Sequence, residues 1–198
     1  MEIIMEIARK HNLYVVEDVA QALGSDFYFS DGTKAKAGTI GHIGCTSFFP
    51  SKNLGCFGDG GALYTNDEDL AKKIRSIANH GMTQRYYHDH IGINSRLDSL
   101  QAAILSVKLK KLDNYHKRRQ ETAAYYDREL SGLSWLQIPQ RVSWSNHIFH
   151  QYSIILKNAP RDEFKNYLEK NNIPSMIYYP VPIHLQKAYE QYKFNTTQ

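Results

Sequence analysis

Leu13-Tyr14-Val15-Val16-Glu17-Asp18 opens the stretch LYVVEDVAQALG (13–24), a short apolar run closed by two carboxylates. Four apolar residues in succession, bounded by polar groups, predict a strand buried on both faces, as in a parallel sheet flanked by helices. Glu17 and Asp18 then stand at the C-terminal end of that strand, where open α/β sheets gather ligand-binding groups. Upstream, EIIMEIARK (2–10) carries Ile3, Ile4, Ile7 and Ala8 at helical spacing and ends in basic residues suited to a helix C-terminus. Downstream, SDFYFSDGTKAKAGTIGHIG (25–44) reads as loop or hairpin, and CTSFFP and GALYTN read as strands enclosing the loop SKNLGCFGDGG (51–61). The glycines of that loop permit a tight turn or close approach to a ligand.

Farther along, Thr65-Asn66-Asp67-Glu68 offers caps for the helix LAKKIRSIANHG, which Gly81 stops. Residues 82–95 read as a polar and aromatic loop. From Arg96 to Leu130 a helical pattern runs without Gly or Pro, long enough to link two lobes, and places a domain boundary near residue 113. Beyond it WLQIP, HIFHQYSIIL and SMIYYPVPI predict strands, and PRDEFKNYLEKNN a helix opened by Pro160, together a small α/β lobe.

Composition narrows the function classes. With 198 residues, 42% hydrophobic and 22% charged, the chain is neither disordered nor a mini-protein needing staples. Apolar stretches fall short of the roughly 20 residues that span a bilayer, and mean hydropathy is −0.52. The first residues lack a basic leader and a cleavage site, so the expected compartment is the cytoplasm. Cys45 and Cys56 are expected as reduced, structural thiols. Net charge is +4, with one dense basic run, KLKKLDNYHKRR (108–119), read as a solvated helix face rather than a nucleic-acid surface. His88/His90 and His147/His150 lack the companions of a closed metal site, so no metal is expected.

The chemistry concentrates in CTSFFPSKNLGCFGDGGA (45–62), which sets Lys52 between an apolar strand and a glycine-rich loop. Partial desolvation there favours the free amine needed for Schiff-base chemistry, although a surface lysine beside a turn fits the local pattern as well. The loop is not a P-loop, and no helix-opening GxGxxG is present.

EDVAQALG (17–24), AGTIGHIGCTSFFPSKNLGCFGDGGALYTND (37–67), NHG (79–81), GINSRLDSLQAAIL (92–105) and YYPVPIHLQKAY (178–189), in that order, resemble the DegT/DnrJ/EryC1/StrS family of sugar aminotransferases. The resemblance implies an α/β chain of the pyridoxal-phosphate-dependent transferase fold type I. It comprises an incomplete three-layer αβα large domain over 1–112 and a small C-terminal α/β domain over 113–198. It also implies transfer of an amino group from an amino acid, with glutamate as donor, to a nucleotide-linked keto-sugar, in a homodimer with a shared active site. Neither nucleic acid nor membrane enters as a partner.

By the same resemblance Lys52 is the lysine that bonds the cofactor and acts as base. Asp18 pairs with the pyridine nitrogen, and a carboxylate there would keep that nitrogen protonated. Gln21 contacts the cofactor ring or its phenolic oxygen, and Ser47, five residues before Lys52, donates to the phosphate. Asn94 reaches the phosphate of the neighbouring subunit, while Arg96 and His184 lie toward the substrate, where an arginine can hold a carboxylate or diphosphate. A related branch dehydrates keto-sugars with histidine in place of the lysine, and Lys52 argues against it; a cofactor-free remnant is the other rival. Family members are longer: Met1 aligns just before the cofactor aspartate, so the helix start that holds the phosphate and the residue that stacks on the ring are expected outside these 198 residues.

Overall fold

A computed structural model describes residues 1–192, which form two compact units. The first holds residues 1–133 and 138–154; the second holds 134–137 and the chain from 155 onward. The boundary expected near 113 therefore falls inside the first unit, at the start of a helix, and residues 193–198 of the expected small lobe lie outside the described residues.

Helix α1 (Glu2–Lys10) leads into β1 (Val16–Asp18), β2 (Asp26–Tyr28) and β3 (Lys34–Lys36). β2 and β3 pair antiparallel, so the segment after the opening strand is a hairpin. Next come β4 (Ile43–Ser47) and β5 (Gly61–Tyr64), which make a mixed sheet in the order β1-β4-β5, with β1 parallel and β5 antiparallel to the central strand. Only residues 16–18 of the apolar run are strand, and the expectation of burial on both faces fails: Tyr14 is 73% and Val16 58% exposed. β1 is an edge strand bonded to β4 alone, and Tyr14 meets the His42 ring edge-on at 5.1 Å while staying largely exposed.

Helix α2 (Glu68–Ala78) starts where Asp67 caps it, its carboxylate accepting from the N–H groups of Asp69 and Leu70. The stretch read as a loop after it contains a small hairpin, β6 (Met82–Gln84) and β7 (Tyr87–His88). Its return leg straps the end of α2, with Ile93 N–H donating to Ile77 O and Ser95 N–H to Ala78 O. Gly81 in the NHG motif has φ +74°, and a Cβ there would lie 1.7 Å from His90 O, so only glycine allows that return.

The long helical pattern is broken. α3 (Ser99–Leu109) and α4 (Leu112–Leu130) are separated by a turn at Lys110-Lys111, where Lys111 N–H donates to Lys108 O. Leu105 before the turn and Leu112 after it close on one core with Leu54 and Cys56, against which Leu23 and Phe48 pack. The basic run is only partly the solvated face expected: Lys117 and Arg118 are exposed, but His116 is 5% exposed and Arg119 donates to the carbonyls of Phe149 and His150.

After α4 the chain enters the second unit at β8 (Leu136–Gln137), returns to add β9 (Ser145–Asn146) to β2, and leaves again at β10 (Ile155–Leu156), which pairs with β8. Helix α5 (Arg161–Lys170) follows Pro160, and Trp135 packs edge-on against Phe164. Two predicted strands shrink or vanish. HIFHQYSIIL contributes only β10, because the carbonyls at 149–150 go to the Arg119 guanidinium rather than to a ladder. SMIYYPVPI forms no strand; Pro180 and Pro182 remove two of its donors.

Candidate active site

In the first unit the parallel pairing of β1 with β4 sets Asp18 opposite Cys45. Side chains alternate along a strand, so Asp18, Cys45 and Ser47 share one face at the C-terminal end of the sheet, and Thr46 points the other way. The shared face has an electrostatic signature: burial and then the negative charge of Asp18 push the Cys45 thiol up. Asp18 bends the chain after β1 by accepting from Ala20 N–H at 2.9 Å. It is exposed and makes no ion pair among the described residues. Gln21 lies exposed in the turn that follows.

Past β4, Phe49 N–H donates to Ser47 Oγ at 3.2 Å and Lys52 N–H to Phe49 O at 2.9 Å, which carries Lys52 back within one turn of the strand end. Its side chain is half-buried, and its ammonium has neither a hydrogen-bond nor an ion-pair partner among the described residues. The loop beyond is held by its own packing. Cys56 is fully buried, and its Sγ lies 3.0 Å from the carbonyl oxygens of both Phe48 and Gly58, which share its one S–H proton. Phe57 N–H reaches Gln101 of α3, and Lys108 binds Gly55 O. A Cβ at Gly55 would sit 2.4 Å from Pro50 O, so that glycine serves the loop's contact with itself rather than a ligand.

Glu17 departs from the reading that gave both carboxylates to a ligand. It accepts from Gly38 N–H at 2.8 Å, Ile40 N–H at 2.7 Å and Gly41 N–H at 2.5 Å, which ties the loop before β4 to β1. Of the other expected residues, Asn94 forms an isolated bridge to Asn79 and is exposed. Arg96 is exposed and adjoins Leu97, which packs over Gly60 of the Lys52 loop. His184 lies in a 3-10 turn (Ile183–Leu185) of the second unit. The structure thus sets Asp18 and Ser47 on one face, with Gln21 in the turn after Asp18 and Lys52 one turn past Ser47.

Sequence reasoning overlooked a cluster behind the lysine. Asn53 is buried, and its Oδ1 meets His150 Nδ1 at 2.9 Å across 97 residues of sequence. Burial first, then the positive charges of Lys52 and Arg119, hold His150 below the usual imidazole range. The basic run and the HIFHQY motif were the available signals.

The profile described as the DegT/DnrJ/EryC1/StrS aminotransferase family matches residues 1–198. The chain belongs to this family. A relative from Acidithiobacillus ferrooxidans, named UDP-N-acetyl-3-dehydro-alpha-D-glucosamine 3-aminotransferase, is 46% identical over 186 residues, covering 94% of this chain and 48% of its own. The solved structure of DesV from S. venezuelae superposes with a TM-score of 0.87 at 39% identity, over 96% of this chain and 50% of that one. NtdA from Bacillus subtilis, solved with bound PMP, gives 0.82 at 30% identity, over 98% and 44%. The chain spans about half the length of the curated relatives it matches. The DegT/DnrJ/EryC1/StrS fold accounts for the mixed α/β sheet with the candidate residues at the C-terminal end of its parallel pair. Among the described residues no helix is long and apolar enough to cross a membrane.

Proposed function

We propose that this chain carries the lysine-bearing part of a pyridoxal-phosphate-dependent aminotransferase, which moves an amino group from an amino acid, with glutamate as donor, to a nucleotide-linked keto-sugar. The observation that carries the reading is the convergence of Asp18, Ser47 and Lys52 on one end of the β1–β4 pair, with the Lys52 amine unpartnered. That donor set fits the cofactor: a carboxylate free of cations, a hydroxyl and a primary amine. Kinship with nucleotide-sugar aminotransferases supports the substrate class.

When bound, pyridoxal phosphate supplies an electron sink for the carbon that loses its proton. Lys52 Nζ would be the covalent anchor and, once released, the base that moves the proton between the amino-acid carbon and the cofactor. Asp18 holds a proton on the ring nitrogen through its negative charge. Ser47 Oγ accepts from Phe49 N–H, which leaves its own hydrogen free for a phosphate oxygen. Gln21 contacts the ring side, Asn94 serves the neighbouring subunit of a homodimer, and Arg96 and His184 lie toward the sugar nucleotide. The first compact unit would carry the cofactor-binding domain and the second the small domain of a cytoplasmic enzyme, so the division expected at 112/113 shifts past α4. Borohydride reduction of the protein loaded with pyridoxal phosphate, followed by peptide mapping, should place the label on Lys52; label on another lysine would refute the assignment.

A further inference from the structure

A cavity of about 570 Å³ lies against α4 in the first unit, within the size range of small-molecule sites. Asn53, Lys108, Arg118, Arg119 and His150 line it, and no carboxylate does. Two of the cations are fixed in place: Arg119 by the Phe149 and His150 carbonyls, each at 3.1 Å, and Lys108 by Gly55 O. Arg118 is exposed, with no hydrogen bond or ion pair among the described residues. The second, independent observation is Asn53. It is 8% exposed, its Oδ1 is taken by His150, and its buried Nδ2 has no partner. A cavity walled by cations with no carboxylate, beside a buried donor that lacks an acceptor, favours a ligand that carries negative charge.

We propose that this cavity is a binding site for a phosphoryl group on a small organic molecule, separate from the face that bears Asp18 and Ser47. Three cationic side chains with no acid among them favour a dianion over a single carboxylate, and the guanidinium forks match the three oxygens of a phosphoryl group. The volume leaves room beyond the phosphoryl group, walled by Tyr115 and Tyr126. Burial first, and then the positive charges of Lys52 and Arg119, lower the affinity of His150 for protons, so the second cause agrees with a cationic wall. The proposal goes beyond the aminotransferase reading and does not depend on it, since its test needs neither the cofactor nor turnover.

Isothermal titration of the purified protein with inorganic pyrophosphate, with succinate as the carboxylate arm, decides the matter. Pyrophosphate should bind with saturation and succinate much more weakly. Arg118→Gln, which removes an exposed side chain with no structural contact, should weaken pyrophosphate by about tenfold, the loss of one charge-assisted hydrogen bond. Asn53→Asp should abolish binding by setting an anion where the free donor was. Lys110→Gln, in the turn before α4 and outside the cavity lining, should bind as the parent does. Equal binding by the parent and Arg118→Gln, succinate as tight as pyrophosphate, or no pyrophosphate binding at all would each overturn the proposal.

Discussion

Replacing Glu17 by glutamine isolates the contact that ties β1 to the loop before β4. In the native chain one carboxylate oxygen accepts from Gly38 N–H at 2.8 Å, and the other accepts from Ile40 and Gly41 at 2.7 and 2.5 Å. Glutamine keeps one oxygen, so at best the pair at Ile40 and Gly41 survives, while its NH₂ group is turned against the N–H of Gly38. That N–H cannot move away: Gly38 has φ +87°, and a Cβ there would stand 2.3 Å from Tyr64 Oη, so the loop is threaded tightly beneath that ring. Hydrogen bonds to a charged partner contribute about 1.5–3 kcal/mol each, and an unmade one at a half-buried site costs the desolvation of its donor, so Glu17→Gln should destabilise by about 2–3 kcal/mol. Glu17→Ala strips all three acceptors and should cost more, about 3–5 kcal/mol, because water can reach only part of the gap. Against a typical total stability of about 5–15 kcal/mol, either loss is readily measured. Urea unfolding should show a lower midpoint with an unchanged slope. A Glu17→Gln midpoint that differs from the parent by less than about 0.5 kcal/mol would show that the carboxylate is not the loop's anchor.

Three further outcomes can be checked on the same protein. Asp18→Asn should speed alkylation of Cys45 at neutral pH, because the carboxylate charge is one of two causes holding that thiol up, and in the active enzyme it should slow transamination by orders of magnitude with little loss of stability; an unchanged labelling rate would separate the two side chains. Gly55→Ala should lower the unfolding midpoint by the equivalent of about 2–4 kcal/mol, since its Cβ would lie 2.4 Å from Pro50 O, a backbone atom that cannot swing aside; a differential scan matching the parent's would contradict that packing. Burial holds His116, His147 and His150 below the usual imidazole range, so the unfolded chain takes up protons first. The stability their neutral forms contribute is complete above about pH 6.5 and drains away as pH falls through the lower folded values. The depressed carboxyls of Asp26 and Asp127 begin to act only near pH 4 and below, so urea midpoints should fall between pH 7 and 5, and more gently in His116→Leu.

What the sequence made legible was local. The caps of α2, the hairpin of β2 and β3, and the five-residue step from Ser47 to Lys52 are set by neighbours along the chain, so pattern alone locates them. Glu17 and Asp18 show where that stops. Period-two alternation says that adjacent carboxylates at a strand end face opposite sides, yet only the arrival of Gly38, Ile40 and Gly41, more than twenty residues later, decides which one becomes an anchor and which stays open to a ligand. The pairing of Asn53 with His150 spans 97 residues and leaves no trace in either local window. The break at Lys110-Lys111 is hidden for a related reason. Every residue there suits a helix, and it is the closing of Leu105 and Leu112 on the core beneath the Lys52 loop that turns the chain. Pro180 and Pro182 were a readable warning against a strand, outweighed by the apolar residues around them. The same asymmetry divides the functional reading. The residues of the lysine motif are near one another in sequence, so resemblance could carry them as a block, whereas the cation-lined cavity is assembled from the turn after β4, two helices and the 149–152 segment, and only the folded chain puts its charges side by side.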